Sequence, residues 1–395
     1  MGPVSIAVSV VFLVCAAILA TRLKSKYFRG QNERHIFHPD PAETGPLVSV
    51  IIPARNEAVS IAALLGALRS QRYRNIEVIV VDDASEDRTP EIVAGFREAD
   101  PRITLVTAPP LPTGWTGKCN ACRYGAAVAS GEYLLYLDSD VWLTDDDAIG
   151  GMLAYAQANA VDLLSLVPRQ ILGSVIERLL LPAVYTIMAL ELLPYGAVNN
   201  PRCGKAAAVG QCLFFRREAY QAIGGHDAVK GEIAEDMAFA RLIKARGLRL
   251  VLLDGGSVIS VRMYRSLRDI WGGWTKHLYF TVAGGLAILL RRELMLCIVF
   301  LVPPVILIWA VVSLAMRPAW LTLIPLILAT GMEIWGHKER LRNYHIMRWP
   351  VGYEPLFPPA MAFALFLLAA SAVKHLTPGG LSWKGRRYSA KELRP

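Results

Sequence analysis

Three stretches of the chain put acidic side chains where an apolar run stops. "YLLYL" (Tyr133 to Leu137) ends in Asp138, Ser139 and Asp140, "IEVIVV" ends in Asp82 and Asp83, and "LVSVIIPA" runs through Pro53 and Ala54 into Arg55, Asn56 and Glu57. Carboxylates gathered at one edge repel one another unless a cation or hydrogen-bond donors offset the charge. A divalent metal bridging a diphosphate would do so, because hard cations take carboxylate and phosphate oxygens together. The plainer alternative is that each acid caps the helix or turn after it, which suffices for any one of them and strains as an account of all three. A second acidic pair, Glu235 and Asp236, opens "EDMAFARLIKARG", where a helix dipole favours anions. Lys118 stands in "GWTGK", a loop loosened by Gly114 and Gly117; it is either a point charge for a phosphate or a solvated loop lysine. Cys119 and Cys122 form a lone C-x-x-C, without the second Cys or His pair that zinc binding would want.

The elements that carry these residues alternate. After "LVSVIIPA", apolar residues recur at helical spacing from Val59 to Ser70; "IEVIVVDD" is the next strand, Thr89 to Phe96 the next helix, then come "RITLVTA" and "YLLYLDSD". Near-continuous apolar strands separated by amphipathic helices imply an α/β fold with a mainly parallel central sheet covered on both faces. Ligands of such sheets bind beyond the carboxyl ends of the strands, where these acids fall. No Gly-x-Gly-x-x-Gly follows the first strand, which argues against a dinucleotide-dependent oxidoreductase.

The 395 residues are 54% apolar with mean hydropathy +0.36, high for a purely soluble protein, so part of the chain is expected in lipid. Val4 to Ala20 carry no charge and are followed by Arg22, Lys24, Lys26 and Arg29; this order suits an uncleaved anchor (1–22) with its N-terminus outside. Further segments are expected at Met295 to Ala315, Trp320 to Trp335 and Leu356 to Val373, within a C-terminal membrane region (295–373) reached through an interfacial connector (261–294) and followed by a basic tail (374–395). Four full crossings cannot put both the basic loop Lys338 to Arg348 and the tail inside, so one segment is expected to be re-entrant or interfacial. The apolar stretch Ile171 to Pro194, interrupted by Glu177, Arg178, Pro182 and Glu191, reads as an interfacial or buried core helix. The net charge of +9 clusters beside the apolar segments, which favours an anionic membrane face over nucleic acid. Six scattered cysteines give no disulfide framework, in keeping with a cytoplasmic catalytic part at the cell (inner) membrane.

"VSVIIPARNE", "VVDDASEDRT", "LDSD" and "EIAED", in this order and spacing, resemble the inverting family 2 glycosyltransferases with a GT-A nucleotide-sugar-binding domain, over about residues 47–260. "LPTGWTGKCNA", "AAAVGQCLFFRREAYQAIGGHDAV" and "WGGWTKH" are similar to membrane-bound enzymes that glycosylate carotenoid acids, with hopanoid-associated enzymes as near neighbours. The resemblance implies that Pro53, Ala54, Asn56 and Glu57 line the nucleotide pocket and that Asp83 and Asp82 meet the uracil or ribose. It also implies that Asp138 and Asp140 hold Mg2+ or Mn2+ on the donor diphosphate, that Lys118 touches that diphosphate, and that Asp236 is the base with Glu235 beside it. Gln211 matches the acceptor-side loop; His226 is as readily structural. "WGGWTKH" lacks the arginine-tryptophan pair of polymer synthases, which favours transfer of a single sugar, and Trp274 is expected to contact substrate, to sit among interfacial aromatics with Trp271, or both. The expected partners are a nucleotide-sugar donor, probed first as UDP-linked, and a polyprenoid lipid acceptor in the membrane. Ceramide, diacylglycerol or polyprenyl phosphate is the rival acceptor, and a non-catalytic nucleotide-sugar-binding protein is the rival class.

Overall fold

The computed structural model describes residues 3–32, 37–38, 40–192, 195–282, 286–316, 319–376, 381–383 and 386–388. The end of the basic tail, residues 389–395, lies outside them. The chain divides into two compact units: one comprises residues 1–30, 172–193 and 264–377, the other residues 31–171, 194–263 and 378–395.

The chain starts in helix α1 (Pro3–Asn32) and then enters the sheet unit. There β1 (Val48–Ala54), α2 (Ile61–Ser70), β2 (Ile76–Asp82), α3 (Thr89–Ala99), β3 (Ile103–Thr107), α4 (Gly117–Val128) and β4 (Tyr133–Leu137) alternate as their hydrophobic pattern requires. β5 (Val141–Leu143), α5 (Ala148–Ala158), β6 (Leu163–Val167) and β7 (Arg169–Gln170) follow. Helix α6 (Val175–Leu192) belongs to the other unit, after which α7 (Tyr195–Asn199), β8 (Cys212–Arg216), α8 (Arg217–Ala222), α9 (Glu235–Ala245), β9 (Leu250–Asp254) and β10 (Ile259–Val261) complete the sheet unit. Seven strands form one sheet in the order β3-β2-β1-β4-β8-β6-β9, and β5, β10 and β7 form a smaller one. All pairings in the large sheet are parallel except those of β8, which runs antiparallel to β4 and β6.

This topology decides what meets at the sheet edge. β3, β2, β1 and β4 are parallel and deliver their carboxyl ends to the same side, while reversed β8 begins there. The Asp138 N–H accordingly donates to the Gln211 carbonyl at 3.3 Å, bringing the residues before β8 beside the end of β4. Helix α4 lies so close to the sheet that a Cβ on Gly125 would come within 2.5 Å of Ile51 Cγ2 and 3.0 Å of Val81 Cγ2.

In the helical unit, α6 is joined by α10 (Leu267–Val282), α11 (Leu286–Phe300), α12 (Val302–Met316), α13 (Leu323–Ile346) and α14 (Phe357–Leu376). The charge that interrupts the apolar pattern of α6 has a local use: buried Glu177 accepts from the Gly173 and Ser174 N–H groups at 2.8 and 3.0 Å, and its own N–H donates to Ser174 Oγ, a capping box. Ser371 Oγ ties α14 to α10 by donating to the Thr275 carbonyl at 2.8 Å and accepting from the Tyr279 N–H at 3.0 Å. Among the described residues, three helical stretches are long and apolar enough to cross a membrane: Ser5–Arg22, Leu286–Met316 and Val351–Leu376. The expected segment Trp320 to Trp335 is not among them; its residues enter α13, which continues through Lys338, Arg340 and Arg342 to Ile346. Only 22% of the apolar window is buried in each of the first two stretches, which leaves Val11, Leu294, Val305 and Ile308 exposed as lipid-facing side chains would be. Trp274 is buried against Tyr185 and Tyr264 in this unit, so the expectation of an interfacial aromatic fits Trp271, which is exposed, better than Trp274. A short hairpin of β11 (Leu381–Trp383) and β12 (Arg386–Tyr388) ends the described chain.

Replacing Gly125 by Ala should drive α4 off β1 and β2 and lower stability by about 1–3 kcal/mol, measured by chemical denaturation in detergent; an unchanged midpoint would show that the helix does not need this contact.

Candidate active site

The site is built from three strand ends and two helix starts. β1 and β2 pair in register up to Ala54 and Asp82, so the two polar stretches that follow are adjacent by construction. The Asp83 N–H donates to the Ala54 carbonyl at 2.8 Å, and Arg55 Nη1 donates to the Asp83 carbonyl at 2.6 Å. Asn56 takes a left-handed backbone (φ 55°), and its Oδ1 accepts from the Glu86 N–H at 2.8 Å while its N–H donates to Ser85 Oγ. The Glu57 N–H is held by Thr89 Oγ1 at 2.8 Å. These bonds fix the loop from Pro53 to Glu57 against the loop after β2. Asp82 and Asp83 are both buried; Asp82 Oδ2 accepts from the Ser85 N–H, but Asp82 Oδ1 has no hydrogen-bond partner among the described residues. A buried carboxylate oxygen of that kind suits a donor group supplied by a ligand.

The second half of the site centres on one ammonium. Lys118 Nζ lies 2.7 Å from Asp138 Oδ1, at the end of β4, and 2.8 Å from Glu235 Oε1, at the start of α9. Lys118 itself sits in the first turn of α4, whose cap Thr116 accepts from the Cys119 N–H. The Thr116 N–H donates to the Lys230 carbonyl at 2.8 Å, and Cys119 Sγ reaches the Val229 carbonyl at 3.5 Å, so the start of α4 is strapped to the segment that leads into α9. Glu235 is thereby held against the lysine helix. Cys119 and Cys122 are buried, and burial pushes both thiols up, so the C-x-x-C is packing.

Asp236 is turned the other way. Its Oδ2 accepts from the Gly210 N–H at 2.8 Å and its Oδ1 from the Met237 N–H at 2.8 Å. Burial and the neighbouring Glu235 charge raise its carboxyl to about 7, against the opposing pull of Lys118. Glu235 moves the opposite way: burial would raise it, but Lys118 holds it below the usual carboxylate range. Asp138 is raised by burial and by the Glu235 and Glu57 charges, with Lys118 opposing. For Lys118, burial works against the charge, but Asp138 and Glu235 outweigh it and hold the ammonium well above its ordinary value. Two adjacent carboxylates with pKa values pushed apart are an arrangement suited to acid-base work.

Gly210 is the residue that motif reading passes over. A Cβ there would stand 3.3 Å from Asp236 Oδ2 and from Lys118 Nζ, and 3.4 Å from Glu235 Oε1, so this glycine is the floor on which the three groups converge. Its only signal in sequence is its place directly before Gln211. Gln211 is half-buried; its Nε2 approaches Met263 Sδ and its Oε1 has no hydrogen-bond partner among the described residues. His226 is buried between Tyr220, whose Oη lies 2.8 Å from Nδ1, and Phe239, and burial lowers it to about 3, which makes it a neutral structural histidine.

The metal expected at Asp138 and Asp140 can be tested against these donors. Asp138 already carries a cation, the Lys118 ammonium, on Oδ1, and half-buried Asp140 stands two residues on. Among the described residues no cluster of three or more His, Cys, Asp or Glu could hold a metal. A hard cation at Asp138 would have to draw most of its ligands from phosphate and water. Of the predicted residues, Pro53, Ala54, Asn56, Glu57, Asp82 and Asp83 lie together at the ends of β1 and β2, and Lys118, Asp138, Gln211, Glu235 and Asp236 gather around Gly210 and the end of β4. Trp274 belongs to the helical unit.

A seven-stranded, mainly parallel sheet with acids at the carboxyl ends of β1, β2 and β4 is a GT-A fold, and residues 49–224 match Glycosyl transferase family 2. The chain thus carries a family 2 glycosyltransferase domain. It is 30% identical over 252 residues to the 4,4'-diaponeurosporenoate glycosyltransferase of Staphylococcus haemolyticus (strain JCSC1435), covering 62% of this chain and 66% of that protein. The protein of the same name from Staphylococcus aureus (strain USA300) is 28% identical over 242 residues, 60% of this chain and 62% of that one. The matched region thus spans a little under two thirds of these relatives' length. Among solved structures, the mannosyltransferase PcManGT from Pyrobaculum calidifontis, in complex with GDP-Man and Mn2+, shares the fold with a TM-score of 0.58 at 22% identity, covering 92% of this chain and 98% of that one.

Two outcomes follow from the geometry. If Asp236 takes a proton, it acts only as carboxylate, so kcat/KM should climb as pH rises through about 7 and then level off; a profile flat from about pH 5 to about pH 9 would remove it from that role. Gly210→Ala should cut turnover about tenfold or more by displacing Asp236 and Lys118, with little change in melting temperature, and wild-type turnover would show that the floor is not tight.

Proposed function

We propose that the chain is a metal-dependent, inverting glycosyltransferase that moves one sugar from a nucleotide-sugar donor, UDP-linked in the first instance, to a polyprenoid lipid acceptor in the membrane. The observation that carries this reading is the Lys118, Asp138, Glu235 and Asp236 cluster at the strand ends of a family 2 domain. A Mg2+ or Mn2+ held by Asp138 and Asp140 would stabilise the negative charge that develops on the departing nucleoside diphosphate. The loop Pro53 to Glu57 with Asp82 and Asp83 supplies the nucleoside pocket, in which orphaned Asp82 Oδ1 accepts from base or ribose. Asp236, aligned by the Gly210 N–H, takes the acceptor proton on the face opposite the leaving group. Gln211 and Trp274 are assigned to the substrate side on the resemblance of their motifs.

A carotenoid acid is the first acceptor to test, since the relatives above are 4,4'-diaponeurosporenoate glycosyltransferases; a hopanoid is the second. The chemistry agrees: a carboxylic acid at the bilayer keeps its proton because desolvation disfavours the anion, and a base poised near 7 can remove it. The three apolar helical stretches would hold the site at the bilayer of the cell membrane, as a multi-pass protein. With the N-terminus outside, three crossings would put the basic tail in the cytoplasm with the catalytic domain and the basic stretch Lys338 to Arg348 on the opposite side.

In membranes supplied with UDP-sugar and lipid extract, mass analysis should show one added hexose on the acceptor, and EDTA should abolish it. Asp236→Asn should keep donor binding while losing about 10²–10⁴-fold in transfer; turnover equal to wild type, or transfer indifferent to EDTA, would contradict the mechanism.

A further inference from the structure

Lys118 occupies a position that the transfer reaction does not by itself explain. Its ammonium bridges Asp138, the acid assigned to the metal, and Glu235, the neighbour of the base. A metal that approaches Asp138 meets a cation already in contact with one of its two carboxylate oxygens. We infer that Lys118 is the resident cation of the site and must leave Asp138 before a metal can bind there, so that the metal enters with the nucleotide and not alone. This rests on the reading of Asp138 as a metal carboxylate under a nucleotide-sugar.

The geometry says which contact breaks. The Asp138 side chain is 27% exposed and that of Lys118 34%, whereas that of Glu235 is 8% exposed. The bond to Asp138 is thus open to solvent and to an incoming ligand, while the bond to Glu235 is shielded. The backbone of Lys118 is fixed in the first turn of α4, which Thr116 and Cys119 strap to the Val229 to Lys230 segment, but its four-carbon stem is not. An ammonium on such a stem has three donors and can keep Glu235 while turning another N–H from Asp138 toward a diphosphate oxygen. The diphosphate supplies what the lysine gives up, an anion for the ammonium and further oxygen ligands for the metal. A metal without nucleotide supplies neither, and it leaves two cations crowded over one carboxylate.

The test is Mn2+ binding to the full-length protein in detergent, followed by the EPR signal of free Mn2+, with and without UDP. Lys118→Met and Lys118→Gln should bind Mn2+ alone at least about tenfold more tightly than wild type, because the competing cation is gone. Adding Asp138→Asn to Lys118→Met should take that gain away. Should both lysine variants bind Mn2+ alone no better than wild type while Mn2+ with UDP still binds, the inference is overturned and the proposed function stands. Failure of Mn2+ to bind any of these proteins even with UDP would overturn both. Two substitutions of different polarity guard against one that simply misfolds.

Discussion

Negative charge at one sheet edge is the constraint around which the rest of this protein is arranged. Asp138, Glu57 and the adjacent Glu235 and Asp236 come from three separate places in the chain; the Glu235 and Glu57 charges raise the Asp138 carboxyl, and the Glu235 charge raises that of Asp236. One lysine makes the arrangement tolerable, in contact with two of these acids. It also divides the Glu-Asp pair: Glu235, touching the ammonium, stays charged, and Asp236, turned toward the Gly210 N–H, is left with a pKa near 7. The difference between two adjacent side chains thus arises from which one faces the cation.

Packing keeps that geometry in place. Gly125 lets α4 press on β1 and β2, which sets the height of Lys118 above the strand ends, and Gly210 leaves room for three charged groups to meet. The straps from Thr116 and Cys119 to the segment before α9 couple the lysine to the acids it serves. The geometry of the charged cluster accordingly depends on residues outside it.

Much of this was legible in the sequence. Strands β1, β2 and β4 read out as near-continuous apolar runs, because a strand buried on both faces has no polar alternation, and their acidic ends marked the rim. The Glu-Asp pair was placed at a helix start because charge next to helical spacing has few other readings, and α9 begins at Glu235. What stayed hidden was non-local. Nothing in "CLFFR" says that β8 runs antiparallel between β4 and β6, so the importance of Gly210 could not be read from its neighbours. Lys118 was an open choice between loop and site until its partners, far away in sequence, came into contact with it. In the apolar half, composition located the outer membrane candidates but not the fate of Trp320 to Trp335, since a helix that begins apolar and ends charged shows no boundary in its first turns.

The central claim is that a cation joins these acids to a nucleotide, with Lys118 holding the place beforehand. Anomalous scattering at the manganese edge, from crystals of the protein grown with UDP and Mn2+, tests it most directly. The account predicts a single peak beside the Asp138 carboxylate, toward the diphosphate, with Lys118 Nζ withdrawn from Asp138 Oδ1 and still at Glu235. A peak away from Asp138 and Asp140, or nucleotide bound with no metal and the lysine bridge intact, would contradict it.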